Sequence, residues 1–76
     1  MDRVHDTRRY KSSFIPWNES GSMGQQLTCE VDGEFVVVAK VLFWEAAGQF
    51  SIETIGEVPL RVLDELIAEA KAIIAD

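Results

Sequence analysis

A chain of 76 residues with 47% hydrophobic side chains, 26% charged side chains and a net charge of −6 reads as one small globular domain, which excludes a disordered chain. No apolar run approaches the roughly 20 residues needed to span a bilayer, so a membrane protein of the helical kind is excluded as well. Cys29 is the only cysteine, which excludes a disulfide within the chain and a thiol metal cluster. Small domains are often reinforced by a disulfide, a metal or a second copy, and the second copy is the option left open.

The charge is unevenly placed. Residues 1–24 carry Arg3, Arg8, Arg9 and Lys11 against Asp2, Asp6 and Glu19, a net +1. Residues 25–76 carry Lys40, Arg61 and Lys71 against ten acids, a net −7. An acidic body repels nucleic acid and suits a basic partner. The first residues, MDRVHDTRRYKSS, hold no apolar signal core, so the expected location is cytoplasmic.

Residues 1–24 show no sustained period and end in the turn-forming run Asn18-Glu-Ser-Gly-Ser-Met-Gly24. They read as a flexible N-terminal arm, with a short edge strand over 9–15 as an option, because Pro16 forbids a central strand there. Residues 25–76 read as a β-meander plus helix domain. Leu27, Cys29 and Val31 alternate with polar neighbours, as in a half-exposed strand over 25–31. Asp32-Gly33 is a two-residue hairpin signal, since both central positions need positive φ. A long strand over 34–45 follows, then a three-residue loop at 46–48, then a strand over 49–55 that Gly56 ends. From Val58 to Ala75, Leu60, Leu63, Ile67, Ala70 and Ile74 recur at helical spacing, and Pro59 suits the first turn. The expected fold is α+β: a three- or four-stranded antiparallel meander with one C-terminal amphipathic helix packed on one face.

Turn lengths then assign faces. A two-residue loop at Asp32-Gly33 sets Cys29 beside Val36 and Leu27 beside Val38. With the three-residue second loop, Trp44 lies beside Phe50 and Leu42 beside Ile52. These residues form the expected core face, and Lys40 falls among them at a cost. The opposite face collects Phe35, Val37, Ala39, Val41 and Phe43. An apolar ridge rimmed by polar groups is the expected interface. A four-residue second loop would move Phe50 and Ile52 onto the ridge face. The N-terminal arm, a second copy in a twofold dimer, or a different protein are the three ways to cover the ridge.

No catalytic set emerges. His5 is the only histidine, and the sequence holds no nucleophile elbow, His-Glu-x-x-His pair, Walker loop or dinucleotide fingerprint. No enzyme activity, cofactor or metal is expected. Glu30, Asp32 and Glu34 cluster at the first hairpin tip, and Glu65 and Glu69 share one helix face. These five acids are the candidate surface for a basic partner. Arg8, Arg9, Lys11 and Trp17 form the one basic and aromatic cluster, a candidate contact for single-stranded nucleic acid.

A meander followed by one amphipathic helix resembles, in element order alone, the single-stranded-DNA-binding coactivators that dimerise. Their sheet face is basic and aromatic, whereas this one is apolar with acidic edges, and no residue is carried over. The expected function is a small acidic protein-protein interaction module, probed as an inhibitor, immunity or antitoxin-type protein. It acts as a homodimer on a protein partner, away from membranes. The alternative is a single-stranded nucleic-acid-binding dimer.

Overall fold

Turn chemistry sets the order of the strands. Asp32 and Gly33 have φ of 51° and 84°, the left-handed pair that a two-residue hairpin turn requires. Asp6 and Thr7, with φ of 47° and 69°, make a second such turn near the N-terminus. The computed structural model describes residues 1–75. It contains strands β1 (Asp2–His5), β2 (Arg8–Ile15), β3 (Ser22–Val31), β4 (Glu34–Trp44) and β5 (Gln49–Thr54), then helix α1 (Leu60–Ala75). The strands form one antiparallel five-stranded sheet in the order β1-β2-β3-β4-β5. The fold is therefore α+β with one C-terminal helix, and the sheet is wider than the three or four strands expected.

Both strands beyond the meander lie in the segment read from the sequence as an arm; β2 falls on the optional strand over 9–15, but it is an inner strand, because Pro16 lies beyond its end and β1 pairs with its outer side. Residues 2–15 form the β1–β2 hairpin, and β2 pairs with β3 from Tyr10↔Cys29 to Ile15↔Gly24. Between them and β3, the Asn18 carboxamide closes the connection by accepting from the Ser20 N–H at 2.9 Å and donating to Ser22 Oγ at 3.0 Å.

A β-bulge governs which side chains enter the core. Leu27 pairs with Ala39 and Thr28 pairs with Val37, so Val38 has no partner on β3. One extra residue reverses the facing of everything beyond it. Phe35 and Val37 stay on the open face of the sheet, while Ala39, Val41 and Phe43 turn to the helix face. The expected single ridge is thus split. The core face read from the sequence is split too, because Leu42 and Trp44 lie on the open face. Lys40 lies there with them, opposite Gln26 and Glu53, which removes the cost of a lysine in the core.

The second loop is four residues long, with Trp44 paired to Gln49, so Phe43 faces Phe50 and Val41 faces Ile52. Gly24 lets β3 and β4 approach closely, since a Cβ there would sit 1.8 Å from the Val41 carbonyl oxygen. The core joins Tyr10, Leu27, Cys29, Ala39 and Val41 of the sheet to Val62, Leu66 and Ala70 of α1, with Leu27, Leu66 and Val62 wholly shielded from solvent. Among the described residues no helix is long and apolar enough to cross a membrane.

Candidate docking site

Helix α1 is narrower than the sheet it covers. Its buried positions, Val62, Leu66 and Ala70, rest on β3 and β4. One flank is tied to the N-terminal hairpin. Arg3 Nη1 donates to Glu65 Oε1, and the Ser12 hydroxyl donates to Glu69 Oε1 at 2.6 Å. The Met1 amino group lies 2.9 Å from Glu69 Oε2. With that flank fixed on β1 and β2, helical spacing turns Leu60, Leu63 and Ile67 toward β5.

Strand β5 has no helix above it. All six of its residues are exposed, including Phe50 at 38% and Ile52 at 47% on the helix face. Phe43 and Phe50 pack with ring centroids 5.1 Å apart. Across from them, Leu60 is 72% exposed, while Leu63 and Ile67 are partly buried against the core. The result is an apolar shelf, with a floor of Phe43, Phe50 and Ile52 and a wall formed by the helix flank. Its outer side is an open strand edge. An exposed apolar surface next to unpaired backbone groups can receive a strand or a helix from another protein.

The ridge residues expected as an interface separate accordingly. Ala39 and Val41 are in the core, Phe43 lines the shelf, and Phe35 and Val37 lie on the open face, where the Lys11 ammonium sits 4.8 Å from the Phe35 ring centroid. Phe50 and Ile52, assigned to the core by the three-residue loop, are the shelf's central residues. The four-residue loop signals this placement, and the sequence Glu45-Ala-Ala-Gly48 admits both lengths.

Among the acids, Glu30, Asp32 and Glu34 are exposed at the β3–β4 tip, beside exposed Val31 and Val36. Glu65 and Glu69 are engaged with Arg3, Ser12 and the Met1 amine instead of facing solvent as a free pair. The basic set is dispersed. Arg9 and Lys11 lie on the open face, whereas Arg8 lies on the helix face in a cleft with His5, Tyr10 and Pro59. Arg9 is held by Asp2 through two hydrogen bonds, of 3.0 and 2.8 Å. That contact draws the Asp2 carboxyl below its ordinary value. Trp17 projects from the loop after β2, half exposed. Trp44 Nε1 donates to Ser51 Oγ at 2.7 Å on the open face of the β4–β5 hairpin.

No protein-family model matches the chain, and no curated protein or solved structure matches it.

Proposed function

We propose that the protein is a small non-enzymatic protein-binding module, and that the apolar shelf between β5 and α1 is its docking site. The carrying observation is the exposure of Phe50 and Ile52 on the sheet face that the helix covers over β3 and β4. Such a surface fits a macromolecule, since it is open along one side and carries apolar side chains in place of converging polar groups. The exposed acids Glu30, Asp32 and Glu34 add a negative field that favours a basic rim on a foreign partner, as an inhibitor, immunity or antitoxin-type protein requires.

The nucleic-acid alternative loses support from the dispersal of its residues. Arg8 is on the face opposite Arg9 and Lys11, and Arg9 is already paired with Asp2.

Chemical cross-linking in the native extract, with mass mapping of linked peptides, tests the reading. Links are expected at β5 and the Leu60–Ile67 flank, and they should disappear in an Ile52→Asp variant. Links confined to the open face, or unchanged by Ile52→Asp, overturn it.

A further inference from the structure

Strand β5 has the properties of a strand that pairs with itself. Ile55 N–H donates to Val38 C=O at 2.8 Å, so Ile55, Glu53, Ser51 and Gln49 direct their backbone groups toward β4. By the alternation of antiparallel ladders, Phe50, Ile52 and Thr54 direct theirs outward, to an edge that no strand of this chain occupies. The other edge of the sheet is different. There, β1 carries Asp2, Arg3 and His5, and its charges are tied to Arg9 and Glu65. Charge is the usual protection of a free edge, and β5 has only Glu53.

A twofold axis perpendicular to the sheet keeps each face on its own side. It can therefore be centred on a residue but not between two residues. Centred on Ser51, it sets Phe50 opposite Ile52 of the second copy, and Ile52 opposite Phe50. Both pairs lie on the shelf, and aromatic with β-branched side chains are favourable cross-strand neighbours. On the open face the same register sets Gln49 opposite Glu53 of the second copy, a hydrogen-bonding pair with no like charges in contact. The outward backbone groups of Phe50 and Ile52 then meet each other as two hydrogen-bonded pairs. Centred on Ile52, the axis would instead set Ile52 against Ile52 of the second copy, Phe50 against Thr54 and Ser51 against Glu53, leaving one apolar pair in place of two. A six-residue strand pair is a small interface, and stable ones bury about 1,200–2,000 Å² in total. The remainder is available on the helix face, where Phe50, Ile52 and Leu60 of both copies are exposed beside the joined strands.

We infer that the shelf's open edge is occupied by a second copy of this chain, through antiparallel β5–β5 pairing centred on Ser51, giving a continuous ten-stranded sheet with both helices on one face and the two shelves joined side by side. This rests on the shelf being a docking site and names its occupant.

The test uses Ser51→Cys in the full chain. Directly opposed non-hydrogen-bonded residues have Cα atoms about 4.5 Å apart, within the range of about 4.4–6.8 Å that a disulfide spans. Under mild oxidation this variant should become a covalent dimer. The wild type, whose Cys29 is buried, and a Gln49→Cys variant should not. Light scattering over a dilution series should give two chains for the wild type. Ile52→Asp should raise the dissociation constant by on the order of 30-fold or more, with far-ultraviolet circular dichroism unchanged because Ile52 is exposed in the single chain. A wild-type monomer at every concentration overturns the inference; if the extract then yields a foreign protein cross-linked to the shelf, the docking reading stands without it. A dimer that Ser51→Cys does not lock and Ile52→Asp does not weaken overturns the inference and takes the shelf out of the self-association.

Discussion

Thr7 is the residue most at odds with its backbone. It is β-branched and sits at φ 69°, where an L side chain crowds its own carbonyl. Left-handed residues other than glycine cost roughly 1–2 kcal/mol each, so Thr7→Gly should stabilise the protein by about 1 kcal/mol in urea unfolding. No gain, or a loss, would mean that the Asp6-Thr7 turn does not form. Tyr10 gives a pH signature. Burial, reinforced by neighbouring Cys29, pushes its phenol above the ordinary value of 10.0. The unfolded chain releases this proton near pH 10 and the folded chain retains it. The contribution is therefore whole below pH 10 and is lost as pH rises through the higher folded value. Stability should decline as pH rises above about 10, and Tyr10→Phe should flatten that limb. An equally steep decline in Tyr10→Phe would assign the titration to other groups.

At the scale of elements, the bulge at Val38 decides what the β4 sequence means. It leaves Lys40 on the open face and Val41, 2% exposed, in the core. Lys40→Gln should change stability by no more than about 0.5 kcal/mol, while Val41→Gln should cost about 3 kcal/mol or more. Comparable effects at the two sites would restore the unbulged register. The β3–β4 turn, β3 from Gln25 onward, the end of β5 at Gly56 and the amphipathic helix were legible because each carries a local signal: Asp-Gly, period-two alternation, a glycine at positive φ and a 3.6-residue stripe, whereas Ser22–Gly24, read as part of the arm, begin β3. The bulge was not, since every residue of Phe35–Ala39 is apolar and no alternation marks where the phase breaks. Lys40 was the one hint, as the only charge between Phe35 and Trp44. The strand over 9–15 was an option in the sequence, but the β1 strand that makes β2 an inner strand was hidden for a different reason. Asp6-Thr7 lacks the glycine by which such turns are recognised, and the inward side chains Arg3 of β1 and Ser12 of β2 are polar because they reach acids on the helix. Of the candidate site, only Phe43 was placed among the interface residues.

As a whole, the molecule is long for its mass, with extents of 38 × 21 × 19 Å. Helix α1 has 16 residues and spans about 24 Å at 1.5 Å per residue, so it covers neither the full length nor the full width of the sheet. The uncovered length is the β3–β4 tip with Val31 and Val36, and the uncovered width is the shelf. The tip is surrounded by Glu30, Asp32 and Glu34, which keep it solvated, whereas the shelf has few charges around it. Self-association through an apolar shelf should therefore respond weakly to salt. A dissociation constant that changes by less than about threefold between 0.05 and 0.5 M NaCl is expected, and a steep dependence would point to the charged tip.

The strand order has a kinetic consequence. Every strand neighbours its sequence neighbours, so the sheet can close hairpin by hairpin over short loops. The links that reach across the chain are those of the helix to the first strands, Arg3 with Glu65 and Ser12 with Glu69, separated by 62 and 57 positions. Loop-closure entropy delays such contacts, so the docking of α1 on β1 and β2 is expected to follow the rate-limiting barrier. Glu69→Ala should cost about 1–2 kcal/mol, and stopped-flow chevrons should show nearly all of it as faster unfolding with refolding unchanged. Slower refolding would mean that the two ends of the chain meet before the meander is complete.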